Sequence, residues 1–262
     1  MKRTSLLKYP GGKSYLADRI LRALPRGPWT RYVEPFLGGG AVMLAGAGRG
    51  MERIGCDVYQ ELITLWQELS NAQFQVMVRD LTYTQETFDA VLAWEPPLSS
   101  AELAVQTLVR HRFSRGGDGR SFAWSTRLRG GKPGDVNAWE GFVRELSGIA
   151  RSVQDVSFEN WDVLESIRRY DSPTTLWYMD PPYVHETRVS TNLYRHEMTL
   201  EQHKNLVECL RTIKGGCVVS GYRHPLYESL GWRSIAFDMP CNQAQTAVKS
   251  RREEVLWINR KD

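Results

Sequence analysis

The sequence lacks the cysteine arrangements that indicate a metal site or a disulfide framework. Its four cysteines are widely spaced and never form a Cys-x-x-Cys pair; they are Cys56, Cys209, Cys217 and Cys241. Zinc sites and small disulfide-stapled domains both depend on closely or regularly spaced cysteines. We therefore expect four free thiols in a reducing compartment and no bound metal.

Long apolar segments are also missing. No stretch approaches the roughly 20 apolar residues that a membrane-spanning helix needs. The first residues carry basic side chains but not the apolar core of a signal peptide. With 262 residues, of which 42% are hydrophobic, the chain can bury one substantial core. The sequence predicts a cytoplasmic protein of a bacterial or phage-infected cell, a monomer or weak dimer without membrane contact.

Acidic charge is scarce in one segment. The stretch from Arg110 to Lys132, called the basic tract below, has seven arginines and lysines against one acid, a net charge of +6, whereas the whole chain carries +4. Three aromatic residues, Phe113, Phe122 and Trp124, lie within it, and two Gly-Gly pairs permit close approach to a backbone. Such a local excess indicates a polyanionic partner.

Strand-like segments alternate with helix-like segments in most of the chain. Residues 31–36, 53–56, 174–179, 216–221 and 254–259 are predicted strands. A helix is predicted from Leu200, with Thr199 and Gln202 as its capping box. The alternation predicts an α/β fold: a mostly parallel, Rossmann-like sheet with helices on both faces. Residues 70–148 differ in composition and are predicted to form an inserted, partly helical lobe, leaving 1–69 and 149–262 as the main domain.

The most specific motif is Asp180-Pro181-Pro182-Tyr183 at the end of a predicted strand. Consecutive prolines fix φ and make the chain leave the sheet in an extended conformation. The carboxylate of Asp180 and the carbonyl of Pro181 can together accept both hydrogens of an exocyclic amine. The ring of Tyr183 offers a face on which a base can stack.

Two further motifs carry candidate functional residues. Glu34-Pro35-Phe36-Leu37-Gly38-Gly39-Gly40 runs from the end of a predicted strand into a turn, and its glycines allow close backbone approach; no Lys-Ser or Lys-Thr follows, which excludes a P-loop. Asp57, at the end of the next strand, is placed to bind ribose hydroxyls. Near the N-terminus, Lys8-Tyr9-Pro10-Gly11-Gly12-Lys13 could place Lys13 against a carboxylate.

Taken in order, these motifs resemble those of the Dam-type (D12 class) DNA adenine N6-methyltransferases. The resemblance also includes Glu159-Asn160-Trp161-Asp162 and the segment Arg252–Trp257, so that it spans nearly the whole chain. It implies an enzyme that transfers a methyl group from S-adenosylmethionine to N6 of an adenine flipped out of DNA. It also implies that the target-recognition lobe lies between the cofactor-binding and catalytic halves.

The resemblance assigns roles residue by residue. It implies that Tyr9 and Lys13 enclose the cofactor and that Trp161 and Asp162 lie near the cofactor adenine. The methionine moiety is assigned to the segment that contains Glu34, Pro35, Phe36, Gly38 and Gly40, and the ribose to Asp57. The target base is assigned to Asp180, Pro181, Pro182 and Tyr183, with Asp180 also next to the cofactor. For DNA contacts in the basic tract we favour Arg112, Arg115 and Arg120.

The resemblance does not extend to the target sequence. Relatives that read GATC carry Asn-Arg-Tyr-Gly-Tyr-Asn-Gly in the lobe, whereas this chain has His111-Arg112-Phe113-Ser114-Arg115-Gly116-Gly117. Three alternatives stay open from the residues alone. They are an N5-glutamine protein methyltransferase, an RNA adenine methyltransferase and a non-catalytic nucleic-acid-binding relative.

Overall fold

A computed structural model describes residues 6–8, 11–187, 195–240 and 251–259. The chain divides into two compact units. Unit 1 comprises Met1–Ala17, Gly38–Ala47 and Tyr59–Asn160, and unit 2 comprises Asp18–Leu37, Gly48–Val58 and Trp161–Asp262. The predicted lobe of residues 70–148 lies within unit 1; its role in target recognition stays a prediction.

The described chain contains both helices and strands, with four successive helices between the second and third strands. The helices are α1 Ala17–Ala23, α2 Ala41–Leu44, α3 Gln60–Glu68, α4 Ala72–Asp80, α5 Gln85–Leu92, α6 Ser100–Arg112, α7 Gly134–Ser152, α8 Val163–Tyr170, α9 Leu200–Arg211 and α10 Pro225–Glu228. The strands are β1 Arg31–Glu34, β2 Glu52–Cys56, β3 Leu128–Arg129, β4 Lys132–Pro133, β5 Val156–Glu159, β6 Thr175–Met179, β7 Gly216–Tyr222, β8 Arg233–Pro240 and β9 Arg251–Ile258. The predicted α/β fold is confirmed.

Unit 2 is built on a mainly parallel sheet. Its strands lie in the order β2-β1-β6-β7-β9-β8. The first four are parallel to one another, and β9 and β8 run antiparallel to their neighbours. All five residues of β6 are buried, as expected for a parallel strand covered on both faces. Trp177 of β6 and Trp257 of β9 are buried in its core.

Two local features explain how elements of unit 2 begin. The capping box predicted for α9 is present: the Thr199 side chain accepts from the Gln202 N–H, and the Gln202 side chain accepts from the Thr199 N–H. At the start of β6, the buried hydroxyl of Thr175 donates to the Tyr170 carbonyl, at 2.6 Å. Both contacts give hydrogen-bond partners to backbone groups at helix ends, which the hydrogen bonds within the helix leave unpaired.

Unit 1 is mainly helical. Its helix α6 begins with a capping box between Ser99 and Glu102. The aromatic side chains that follow α6 join a buried cluster, in which the Phe113 ring lies 4.4 Å from that of Tyr83 and 4.8 Å from that of Trp139. Beyond it, β3 and β4 form a small antiparallel hairpin around Gly130 and Gly131. Both glycines have positive φ, which a two-residue hairpin turn requires.

No helix among the described residues is long and apolar enough to cross a membrane.

Candidate active site

Three acidic residues lie at one edge of the parallel sheet of unit 2. Glu34 is the last residue of β1, Asp57 follows β2 and Asp180 follows β6. Glu34 pairs with Gly55 in register, and Val33 pairs with Trp177. Because these strands are parallel, their carboxyl ends meet at one edge. In the sheet, β2 lies on one side of β1 and β6 lies on the other. The strand order therefore reverses at β1, and α/β sheets bind their ligands at such a reversal.

Asp180 begins the turn that leaves β6. Its carboxylate accepts a hydrogen bond from the hydroxyl of Ser220, with 2.7 Å between Oγ and Oδ1. The Ser220 oxygen also lies 3.0 Å from the hydroxyl oxygen of Tyr178. Pro181 is buried and Pro182 is half-buried. The turn thus places a carboxylate and a proline carbonyl at the strand end, as the sequence motif predicts.

Tyr183 closes the same turn and is enclosed by β7 and β9. Its hydroxyl donates to the carboxylate of Glu254, a buried residue of β9. Its ring packs edge-on against that of Tyr222, with centroids 4.4 Å apart and planes at 62°. Only 6% of Tyr183 is exposed, so a base would reach its face only after covering groups move. Stacking on Tyr183 stays a prediction.

The turn after β1 is held by buried hydrogen bonds. The hydroxyl of Tyr32 donates to Glu34 at 2.7 Å, and the backbone N–H of Leu37 donates to the Cys56 carbonyl at 2.9 Å. Burial, together with the neighbouring Glu34 carboxylate, raises the pKa of Tyr32 well above its usual value, so that Tyr32 stays a donor. Pro35 is buried and Phe36 packs half-buried against the core of unit 2. These contacts fix the position of the turn that leads from β1 to the glycine segment.

In unit 1, the glycine segment continues into α2. Gly38 has a φ of 47°, and its carbonyl accepts from the indole N–H of Trp66 at 3.0 Å. Gly40, with φ 58° and ψ 32°, is the residue that caps α2. Both positions need the left-handed backbone that glycine adopts without strain. The predicted glycine turn is therefore present, while ligand contact at Gly38 and Gly40 stays a prediction.

The remaining predicted cofactor residues have different surroundings. Tyr9 lies outside the described residues. Lys13, in unit 1, is buried, and its ammonium donates to the Gly11 carbonyl at 2.7 Å. In unit 2, Asp57 is 9% exposed directly after β2. The guanidinium of Arg169 lies over the ring of Trp161 at 4.0 Å, and exposed Asp162 caps α8 by accepting from the Glu165 N–H.

The three arginines predicted to contact DNA divide into two kinds. Arg115 and Arg120 are exposed. Arg112 is 7% exposed, donates through Nε to the Leu6 carbonyl at 2.8 Å and lies 3.7 Å over the ring of Phe142. Burial lowers the pKa of Arg112 to about 9, which leaves it charged at neutral pH. Its contacts favour a structural role, so the proposed DNA contacts depend on Arg115 and Arg120.

Sequence reasoning missed Ser220, Tyr178 and Glu254. Each lies in a predicted strand; Ser220 and Glu254 place buried polar groups against the Asp-Pro-Pro-Tyr turn, and Tyr178 contacts Ser220. A polar residue inside an apolar strand was the available signal, because a buried polar group needs a partner. The sequence does not identify that partner, which lies some 40 to 70 residues away along the chain.

A mainly parallel sheet with acids at its carboxyl edge is typical of α/β enzymes that bind a ligand at the strand ends. The sequence model of the D12 class N6 adenine-specific DNA methyltransferases matches residues 9–90 and 139–236. The chain belongs to this family and is an adenine-specific DNA methyltransferase. Family membership favours DNA as substrate over the protein and RNA alternatives.

Individual relatives share 28% of their sequence or less with this chain. The DNA adenine methylase of Escherichia coli (strain K12) is 28% identical over 227 residues, which cover 79% of this chain and 75% of the relative. The Type II methyltransferase M.CviBI of Paramecium bursaria Chlorella virus NC1A is 22% identical over 245 residues, or 85% and 89% of the two chains. Among solved structures, the rRNA methyltransferase aviRa from Streptomyces viridochromogenes matches with a TM-score of 0.43 and 13% identity, covering 98% of this chain and 90% of that one.

Proposed function

We propose that this enzyme transfers the methyl group of S-adenosylmethionine to N6 of an adenine that has been flipped out of DNA. The observation that carries the proposal is Asp180, which sits at the end of β6 beside the point where strand order reverses and is held there by Ser220. A base inside a duplex cannot reach a strand-end pocket, which is why flipping is part of the proposal.

The proposed mechanism depends on how the turn binds the amino group. The lone pair of N6 is delocalised into the adenine ring, so the nitrogen is a weak nucleophile. Hydrogen bonds from N6 to the Asp180 carboxylate and the Pro181 carbonyl favour a more tetrahedral nitrogen with an available lone pair. A sulfonium cofactor supplies a methyl group bonded to a good leaving group. The N–C bond forms as the C–S bond breaks, and N6 then loses a proton toward Asp180. Positioning and preorganised charge supply much of the acceleration.

The cofactor is proposed to lie along the neighbouring strand ends, with Asp57 on the ribose. Asp57→Ala is expected to weaken S-adenosylmethionine binding by about 1.5–3 kcal/mol, roughly 10- to 150-fold, because a charge-assisted pair of hydrogen bonds is lost. Isothermal titration calorimetry measures the change. The same substitution at exposed Asp80, at the end of α4, is the matched control and should leave affinity unchanged. Equal affinity in wild type and Asp57→Ala would place the ribose elsewhere.

DNA is proposed to bind the basic tract within the lobe of residues 70–148. The tract lies in the interval between the two ranges that match the family, 91–138, where a specificity of this chain's own can reside. Trp124 is 53% exposed and Leu128 is 62% exposed, although large apolar side chains are usually covered. They accompany the exposed cations Arg115 and Arg120. Phosphate contacts and base contacts can therefore come from the same segment.

Salt dependence of binding distinguishes the exposed from the buried cations. Arg115→Ala and Arg120→Ala are each expected to reduce the slope of log K against log salt by about 0.9 if the residue contacts a phosphate. A residue that reads a base should instead relax one position of the methylated site. Fluorescence anisotropy at several salt concentrations, with base-resolution mapping of N6-methyladenine, measures both. Arg211→Ala, on α9 of unit 2, is the control. Unchanged slopes and site profiles in both variants would remove the tract from the DNA interface.

A further inference from the structure

A chain of three polar side chains ends at the carboxylate of Asp180. Tyr178 of β6 and Ser220 of β7 are 3% and 1% exposed, so neither exchanges its hydrogen bonds freely with water. The two hydroxyl oxygens are 3.0 Å apart, and the Ser220 oxygen is 2.7 Å from Oδ1 of Asp180. Parallel pairing of Met179 with Val219 brings the two strands into this register.

The direction of the hydrogen bonds follows from proton counting. A serine hydroxyl has one proton to donate. Its possible acceptors are Oδ1 of Asp180 at 2.7 Å, the Tyr178 hydroxyl oxygen at 3.0 Å and the Met179 carbonyl at 3.4 Å. The shorter bond, to an ionised acceptor, is the stronger one. Ser220 therefore donates to Asp180 and accepts from Tyr178.

The backbone of Asp180 does not by itself fix the orientation of its carboxylate. The two prolines that follow restrict the main chain. The carboxylate can still rotate about the Cβ–Cγ bond, where aspartate has a broad torsional distribution. Its oxygens must face the amino group accurately, since a misplacement of about 1 Å can cost a hundredfold in rate.

We propose that Ser220, itself oriented by Tyr178, is a positioning residue that sets the rotation of the Asp180 carboxylate for methyl transfer. This inference rests on the proposed role of Asp180 toward N6. Ser220 touches neither substrate nor cofactor in the proposal and acts through Asp180 alone. The pair thus holds in place the acceptor that the Asp-Pro-Pro-Tyr motif supplies.

Single-turnover methylation at saturating DNA and cofactor tests the proposal. Ser220→Ala is expected to lower the rate constant between about tenfold and a hundredfold. The KM for DNA and for S-adenosylmethionine should stay within about twofold, because positioning affects the reacting geometry and not binding. Tyr178→Phe should give a smaller loss. Ser220→Thr, which keeps the hydroxyl, should recover activity relative to Ser220→Ala.

Coupling between the variants separates positioning from a general packing defect. Because Tyr178 acts through Ser220, the double variant Ser220→Ala/Tyr178→Phe should be no slower than Ser220→Ala alone. The control is Thr175→Val, which deletes another fully buried hydroxyl from the opposite end of β6 and should leave the rate constant unchanged. Thermal melting of every variant accounts for losses of folded protein.

The outcomes also separate this inference from the proposed function. A wild-type rate in Ser220→Ala, or losses that multiply in the double variant, overturns the positioning role. If Asp180→Ala is inactive at the same time, the proposed role of Asp180 still stands. An active Asp180→Ala variant overturns the proposed function, and the positioning inference fails with it.

Discussion

Replacing Asp180 with alanine is expected to lower the rate of methyl transfer by about a hundredfold to a thousandfold or more, the cost of removing one preorganised group that stabilises a transition state. The variant removes the carboxylate that accepts from N6 and leaves the proline turn after β6 in place. The fold should persist, because Asp180 is only half-buried and its main chain is fixed by the prolines. Single-turnover transfer of labelled methyl groups to DNA measures the rate.

A second aspartate in unit 2, Asp171, provides a control whose substitution should lower stability without lowering the rate of methyl transfer. Asp171 accepts hydrogen bonds from the backbone N–H groups of Lys214 and Gly215, at 3.1–3.2 Å, where the chain enters β7. Asp171→Ala should cost about 1–3 kcal/mol of stability, since it leaves backbone donors without this acceptor. Its rate per folded molecule should stay near that of wild type. If Asp180→Ala methylates DNA at a wild-type rate, the assignment of the Asp-Pro-Pro-Tyr turn is wrong.

The parallel strands could be predicted because burial on both faces leaves a simple signal. β1, β2, β6 and β7 are short, mostly buried strands, the first three end at or just before an acidic residue, and each agrees with its prediction within two residues. β8 was missed. It is an antiparallel strand at the end of the sheet order, and within residues 233–238 Ile235 and Phe237 are partly covered while their neighbours are exposed. Such a weak alternation does not stand out from a loop.

The residues of the candidate site that could be predicted are those carried by local motifs. Asp180 and Asp57 were predicted at strand ends because each directly follows a predicted strand. Ser220 could not be assigned to Asp180, since their contact depends on the register between β6 and β7. Charge density in the basic tract likewise could not tell Arg112, covered by Phe142 from α7, from the exposed Arg115. Contacts between distant segments decide these roles.

The sequence suggests that the glycines of the basic tract let a bound polyanion approach closely, but Gly117 instead lies against the protein's own backbone. Gly117 approaches a backbone closely, and that backbone belongs to Lys8 of the same unit: a Cβ added at Gly117 would lie 1.7 Å from the Lys8 carbonyl oxygen. Leu6 and Leu7 are buried beside this contact, and Arg112 holds the Leu6 carbonyl. The basic tract is thereby packed against the residues that lead into the predicted cofactor-binding motif at positions 9–13.

Gly117→Ala is therefore expected to be more destabilising than Gly116→Ala, which is its matched control. Both glycines have positive φ, 77° and 65°, so both variants share a backbone penalty of about 1–2 kcal/mol. A Cβ at Gly116 meets nothing within 4 Å, whereas one at Gly117 must displace the Lys8 main chain. The additional cost should be about 1–3 kcal/mol, as for other insertions into packed sites. Urea denaturation compares the free energies of unfolding.

Displacement of Lys8 should also weaken cofactor binding. If residues 9–13 help enclose S-adenosylmethionine, Gly117→Ala should bind it more weakly than Gly116→Ala, although position 117 lies in the tract assigned to DNA. Calorimetry on the two variants, at a temperature where both are folded, isolates this effect from the loss of stability. Equal stability in the two variants would mean that the Lys8 segment gives way without cost. Equal cofactor affinity with unequal stability would mean that the contact between Gly117 and Lys8 affects stability alone and has no effect on cofactor binding.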